Sequence, residues 1–170
     1  VYSHEEEEGV VRVFDPDINP GVDIWTYGFN PYDVPMGSGK KNKGYAEMWG
    51  GTVKHFPDET APLSPNGTIS WSEWMYPFQK TKGLSIATEN VALHHRSVSN
   101  GLEVFLCPSI PISSAQIKFQ IDGETIISKS FSTSPDNPYH VIIEWEKIST
   151  VSNVLMILLD GEEEILRIQI

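Results

Sequence analysis

The sequence predicts an all-β protein built as an antiparallel β-sandwich, and three observations support this prediction. Short runs in which apolar and polar residues alternate recur along most of the chain, and this alternation is the period of a strand with one buried face. Two pairs of such runs are separated by Asp-Gly, a dipeptide that favours the tight turn of a β-hairpin. No window of about eleven residues free of Pro and Gly has the apolar spacing of an amphipathic helix.

The first part of the chain is predicted to hold short strands joined by polar loops. The predicted strands cover residues 10–14, 23–27, 68–75, 84–89, 91–95 and 102–107. The two longest loops, at residues 30–43 and 57–66, are rich in Gly, Pro and polar residues. Loops of this kind on a β scaffold often carry binding residues.

The last third of the chain gives the clearest strand signals. The runs 115–121 and 124–132 flank Asp122-Gly123, and the runs 154–159 and 164–170 flank Asp160-Gly161. Each pair of runs is predicted to form a hairpin. The alternating run 139–146 lies between the hairpins and is predicted to add a strand. Two hairpins and a strand are enough for a small antiparallel sandwich.

A change in composition at residues 108–114 (PSIPISS) predicts a boundary. We expect residues 1–107 to form the C-terminal part of a larger β-sandwich and residues 108–170 to form a small antiparallel β-sandwich module. We leave open that the two parts pack as one unit. The chain begins at Val1 within a charged segment that resembles the interior of a longer sequence. We therefore expect a C-terminal piece of a larger protein, the alternative being a processed short protein.

The bulk composition argues against several classes of partner. The net charge is −11 over 170 residues, which opposes binding to nucleic acid and to anionic membrane surfaces. No run approaches the roughly 18 apolar residues of a membrane-spanning helix. The single cysteine, Cys107, excludes an intrachain disulfide and fits either a bacterial cytoplasm or an exported protein without bridges. Its apolar surroundings predict a buried small hydrophobic residue.

Motifs for metal and cofactor binding are missing from the sequence. It contains no Cys/His zinc pattern, no phosphate-binding glycine loop and no nucleophile elbow. We therefore expect no metal and no cofactor.

The residues of greatest chemical interest lie between positions 45 and 77. This stretch holds three of the five tryptophans, two tyrosines and the carboxylates Glu47 and Glu73. Aromatic rings present flat apolar surface that packs on the C–H faces of a pyranose, and carboxylates accept hydrogen bonds from hydroxyl groups. The stretch therefore predicts a carbohydrate ligand, a mono- or oligosaccharide.

Glu47 is the leading candidate for chemistry. In a strand over YAEMW, the residues Tyr45, Glu47 and Trp49 share one face. A carboxylate between two rings is costly to bury unless it is paired or lies in a cleft. In a cleft it could act as a general base. The alternative is a solvated glutamate, or one bonded to backbone donors, on an exposed strand.

Further residues are predicted to line the same cleft. Trp25 and Tyr27 lie in the preceding alternating run and would add two rings. His55 follows a Gly-Gly turn and would reach the cleft from a loop, although a lone histidine is more often structural. Glu73 lies among tryptophans and is predicted either to contact the ligand or to bond a neighbouring strand.

Three motifs, in order along the chain, carry a family resemblance: VRVFDPDINPGVDIWTYG, GYAEMWGG and LSPNGTISWSEWMYP. Over about residues 1–95, this order resembles the uncharacterised bacterial family DUF5107. More distantly, it is similar to the end of the galactose mutarotase-like supersandwich of aldose epimerases. The resemblance implies that residues 1–107 are the C-terminal part of such a sandwich.

The distant resemblance also implies a role for Glu47. It matches the glutamate that takes the proton of the anomeric hydroxyl in the epimerases. The chain departs from the pattern at Asn66, where a Gly-Glu pair is usual. The reaction also needs a histidine acid, and only His4, in the charged start, precedes Glu47. The resemblance therefore implies that the acid lies upstream and that this chain alone is not catalytic.

We consider three functions of different classes. The first is carbohydrate recognition by a mutarotase-like protein. The second is a β-sandwich interaction or scaffold module, whose tryptophans, Trp49 and Trp71 among them, lie in the core. The third is part of an active sugar epimerase or glycan-processing enzyme, and a hydrolase would need Glu47 and Glu73 about 5–9.5 Å apart. Self-association through exposed sheet edges is left open.

Overall fold

The computed structural model describes residues 1–27, 45–54, 60–144 and 154–170, and for Tyr27 and Tyr45 it describes the backbone alone. All the regular secondary structure in these ranges is β-strand, so the predicted all-β class is confirmed. The strands are β1 (Tyr2–Ser3), β2 (Glu8–Phe14), β3 (Asp23–Tyr27), β4 (Tyr45–Trp49), β5 (Glu73–Gln79), β6 (Ile86–Ala87), β7 (Val91–Val98), β8 (Gly101–Pro108), β9 (Ile112–Ile121), β10 (Glu124–Thr133), β11 (Tyr139–Glu144), β12 (Val154–Asp160) and β13 (Glu163–Gln169).

The strands belong to two compact units. The first unit comprises Val1–Val13 and Trp74–Ile170, and the second unit comprises Phe14–Glu73. The boundary expected at residues 108–114 lies inside the first unit. Residues from both sides of it contribute to one hydrophobic core, so the strands of the first unit before and after residues 108–114 pack together.

The main core of the first unit lies between two four-stranded sheets, ordered β11-β8-β7-β6 and β10-β9-β12-β13. Side chains from both sheets meet in one apolar cluster, as in a β-sandwich. The most deeply buried members are Val91, Leu93, Val104, Leu106, Ile117, Phe119, Met156 and Leu158. The alternation that predicts these strands arises because each strand turns one of its two faces towards this cluster.

Strand β8 is buried along its whole length, from Gly101 to Pro108. One face of its sheet forms the main core, and part of the other face is covered by the three-stranded sheet β1-β2-β5. There Ala92 and Cys107 pack with Val11 and Phe78. Cys107 is therefore a buried small hydrophobic residue, as predicted, and burial raises the pKa of its thiol.

The two Asp-Gly hairpins form with different turns. Asp122 and Gly123 both have positive φ angles, 51° and 85°, as a type I′ turn requires. At the second hairpin, Asp160 is still paired within β12, and Gly161 has a φ angle of 60°. The turn residues are therefore Gly161 and Glu162, one position later than predicted. A two-residue loop with glycine in its first position is the pattern of a type II′ turn.

The strand predicted at residues 68–75 is wrong in its position. Strand β5 begins at Glu73 and ends at Gln79, and residues 68–72 form no strand. Residues 60–72 are exposed throughout. Alternation alone does not make a strand, because a strand also needs a neighbour to which its backbone can hydrogen-bond. The strand predicted at residues 84–89 is likewise reduced to the two residues of β6.

Candidate functional site

Strands β3 and β4 form a two-stranded antiparallel sheet in the second unit, and this sheet carries most of the predicted site residues. Asp23 lies opposite Trp49, and Trp25 lies opposite Glu47. Directly opposed residues of an antiparallel pair project to the same side, and alternate residues of one strand share that side. Asp23, Trp25, Glu47 and Trp49 therefore lie on one face of the sheet, which we call the aromatic face.

Both tryptophans of the aromatic face are accessible to solvent. Trp25 is 49 % exposed and Trp49 is 42 % exposed, while Glu47 is half-buried. Trp71 and Trp74 are also exposed. The scaffold hypothesis places Trp49 and Trp71 in the core, and this expectation is wrong. The two hydrophobic clusters of the described residues contain no tryptophan.

A cavity of about 190 Å³ opens where β3 begins and β4 ends. Asp23 and Trp49 line it, together with Gly50, Gly51 and Val53 of the segment that follows β4. A Cβ atom added to Gly51 would meet nothing within 4 Å, so there is free space next to this part of the cavity wall. The cavity combines a carboxylate and an indole ring with a wall that is partly backbone.

Buried Asn19 connects the wall of the cavity to Glu73. It is 1 % exposed. Its Oδ1 accepts a hydrogen bond from the backbone N–H of Gly51 at 3.1 Å, and its Nδ2 donates to Oε1 of Glu73 at 3.0 Å. Its own backbone N–H donates to the carbonyl of Asp15 at 2.8 Å. A buried amide that is bonded at both ends holds three separate segments of the second unit in place.

Glu73 acts as an acceptor for hydrogen bonds that organise the second unit. Its Oε1 accepts from Nε1 of Trp71 at 2.8 Å as well as from Asn19. Two donors on one oxygen fix the position of the carboxylate and of the Trp71 ring. Glu73 does not line the cavity, and a hydrogen bond to Asn19 connects it to Gly51 of the cavity wall.

The structure brings part of the predicted site together. The residues that share the aromatic face are Trp25, Glu47 and Trp49. The backbone register also pairs Tyr27 with Tyr45 at the other end of the same two strands. His55 lies outside the described residues.

The polar residues Asp23 and Asn19 of the site were not predicted from the sequence. Asp23 could have been found, because it alternates with Trp25 in a run already predicted as a strand. Asn19 carries no local signal, because it lies outside the strands and its partners are 32 and 54 residues away along the chain. Its role depends on tertiary contacts that no short pattern shows.

The described part of the chain shows neither a metal-binding cluster nor a membrane-spanning helix. No cluster of three or more His, Cys, Asp or Glu side chains there has the geometry to hold a metal ion. No helix there is long and apolar enough to cross a membrane.

Comparisons of the chain with protein-family models, with curated proteins and with solved structures gave no match. The family resemblance of the three motifs therefore stays a prediction.

Proposed function

We propose that the second unit recognises carbohydrate through its aromatic face. The observation that carries the proposal is the placement of Trp25 and Trp49 on the same face as Asp23 and Glu47, with both rings exposed. Indole rings are usually at least largely buried in a folded domain. Exposed rings beside carboxylates offer surface for the C–H face of a sugar ring and acceptors for its hydroxyl groups.

The size of the cavity indicates how a sugar would bind. Its volume of about 190 Å³ is below the roughly 300–1,000 Å³ of pockets that enclose a drug-sized ligand. It would therefore receive one edge of a pyranose, with Asp23 as acceptor and Trp49 as the stacking ring. The remainder of the sugar would lie along the aromatic face, towards Trp25 and Glu47.

The distant resemblance to aldose epimerases adds a proposed role for Glu47. In that reaction class a carboxylate takes the proton of the anomeric hydroxyl, and a separate acid protonates the ring oxygen. Glu47 would supply the base, and its position opposite Trp25 would place it beside a stacked sugar. The proposal for this chain is recognition, and catalysis would further require the acid.

Isothermal titration of the folded chain with neutral monosaccharides and oligosaccharides tests the proposal. We expect saturable binding, and we expect Trp49→Ala to weaken it roughly tenfold, equivalent to about 1.4 kcal/mol. Trp74→Ala is the matched control, because Trp74 is 44 % exposed and belongs to the first unit.

Asn19→Ala provides an independent test of the cavity wall. It removes the acceptor for Gly51 N–H and the donor to Glu73, so we expect weaker sugar binding through a displaced wall. The proposal fails if no sugar gives a saturable signal with folded protein, or if the Trp74 and Trp49 variants lose affinity equally.

A further inference from the structure

A second cluster of polar side chains lies on the first unit, whereas the proposed sugar site belongs to the second unit. It occupies the face of the sheet β11-β8-β7-β6 opposite the main core. The strand register arranges six residues in two rows across β11, β8 and β7: His140, Phe105 and His94 in one row, and Ile142, Glu103 and Arg96 in the next.

The rings of the first row are stacked. The Phe105 and His140 ring centroids are 4.5 Å apart with an interplanar angle of 10°, and the Phe105 and His94 centroids are 6.3 Å apart with an angle of 17°. Phe105 is buried, and the two imidazole rings flank it. The stacking fixes the plane of the His140 ring, although this side chain is about half exposed.

Glu103 binds two partners at once. Its Oε2 accepts from Nε of Arg96 at 2.6 Å, and its Oε1 lies 2.9 Å from Nε2 of His140. A carboxylate only accepts, so the hydrogen of the second bond is on Nε2. Burial alone would raise the pKa of Glu103, but the hydrogen bonds from Arg96 and His140 outweigh it and lower the pKa. The carboxylate is therefore ionised at neutral pH.

This pairing uses Nε of Arg96 and leaves the two Nη groups of the guanidinium available to a ligand. The guanidinium contacts Glu103 through Nε and lies 5.7 Å from the Phe105 ring centroid. Within the described residues, no acceptor binds its two Nη groups. Arg167 provides the contrast, because its fork closes on Glu164 through both Nε, at 2.9 Å, and Nη2, at 2.5 Å. The Arg96 and Arg167 side chains are equally exposed, at 51 % and 50 %. They differ in their hydrogen bonds, because Arg167 binds its carboxylate through an Nη group and Arg96 does not.

We propose that Arg96 and His140 form a binding site for an oxyanion group, the carboxylate or phosphate of a ligand. The planar pair of Nη groups matches the spacing of carboxylate and phosphate oxygens. The second ring nitrogen of His140, Nδ1, adds a donor when the ring is protonated. Glu103 orients both groups and neutralises one positive charge.

The surroundings of the cluster suit such a ligand. Ile142 is exposed beside Glu103 and offers apolar surface next to the charged groups. Burial lowers the pKa of His94, the charges of Arg96 and His95 lower it further, and the charge of Glu103 opposes this change. The chain as a whole has a net charge of −11, which repels anions at long range. Salt at about 0.1 M screens charges beyond roughly 10 Å, so contact with Arg96 decides binding under those conditions.

A nuclear magnetic resonance titration of the whole chain tests the site, with inorganic phosphate and acetate as separate probes and chloride as the reference at constant ionic strength. We expect saturable shifts in β7 and β11, with dissociation constants in the millimolar range. We expect Arg96→Gln to weaken binding at least about tenfold, because a charge-assisted hydrogen bond is lost, and Arg167→Gln to leave it unchanged. The probe that binds more tightly identifies phosphate or carboxylate as the preferred group. Equal shifts with chloride, or equal binding by the two arginine variants, would overturn the proposal.

A second variant keeps the test independent of folding, because Arg96→Gln removes a partner of buried Glu103. Ile142→Asp places a negative charge in the same row without altering any partner of Glu103. Ile126→Asp on β10 is the control, because the two isoleucines are 39 % and 37 % exposed. We expect at least about a tenfold loss of binding for Ile142→Asp and none for Ile126→Asp. Equal binding by both variants contradicts the proposal. The site lies on the first unit alone, so the outcome of this test is separate from the outcome of the sugar titration.

Discussion

At the scale of single residues, Glu103 makes the stability of the first unit depend on pH. Its pKa is lowered in the folded state from a reference value of 4.5. A lowered pKa contributes stability that is fully present above the unfolded pKa and is lost as the pH falls through the folded pKa. We expect Glu103→Gln to destabilise the protein at neutral pH, and the difference from wild type to shrink progressively below pH 4.5. Urea unfolding followed by circular dichroism over this pH range measures the difference.

Glu164→Gln is the control for that experiment. Arg167 also lowers the pKa of Glu164, but both side chains are exposed, and exposed pairs contribute little because water and salt screen them. We expect a much smaller change in stability at every pH. A difference between wild type and Glu103→Gln that persists unchanged into acid would show that the ionised carboxylate is not what stabilises this cluster.

Roles that depend on the spacing of nearby residues could be predicted from the sequence. Roles that depend on contacts between distant residues could not. The common face of Trp25, Glu47 and Trp49 follows from alternation within two runs, together with the antiparallel pairing of those runs. Asn19 and the pair of Glu103 with His140 depend on contacts between residues far apart in the chain, 37 positions in the second case. Such contacts are set by register and tertiary packing, which a single sequence does not show.

At the scale of strands, the approach of β8 to β11 depends on a glycine. A Cβ atom at Gly101 would lie 2.2 Å from the carbonyl oxygen of Ile143, so any side chain would push β11 away. We expect Gly101→Ala to destabilise the first unit by roughly 1–3 kcal/mol, as overpacking does elsewhere. Urea unfolding measures this, and Gly51→Ala is the control, because a Cβ atom there meets nothing within 4 Å. Wild-type stability for Gly101→Ala would contradict the close approach.

The two hairpins of the last third were predicted as pairs of strands, and both pairs form. The hairpins of the last third carry their own turn chemistry, so Asp122 and Gly123 specify both the turn and the pairing of the flanking runs. Residues 68–72 have equally clear alternation but lie in an exposed segment that forms no strand. Pattern identifies which residues can form a strand, and the availability of a neighbour decides whether they do.

At the scale of the whole molecule, the distribution of tryptophan gives a direct optical test. The four described tryptophans are each between 42 % and 49 % exposed, and none of these four belongs to either core. We therefore expect acrylamide to quench most of the native tryptophan emission. Unfolding in urea should increase the quenched fraction only slightly. A saturating sugar should protect part of this emission in the wild-type chain and less of it in Trp49→Phe. Strongly protected emission from the native protein would contradict the exposed rings.

The all-β class could be predicted for the whole molecule, whereas the division of the chain could not. Composition suggested a boundary at residues 108–114, and the compact units instead divide after Val13 and after Glu73. This division depends on β2 and β5 being neighbours in one sheet, although they lie about sixty residues apart in the sequence. No local feature of either strand identifies the other as its partner.

The adjacency of β2 and β5 has a consequence for how the sequence can change. The whole second unit is the loop that these two strands close. The entropic cost of closing a loop rises only with the logarithm of its length, by about 0.6 kcal/mol for each doubling. Lengthening or shortening the intervening chain therefore costs the sandwich little. Evolution can remodel the segment that bears the aromatic face while the fold of the first unit is retained.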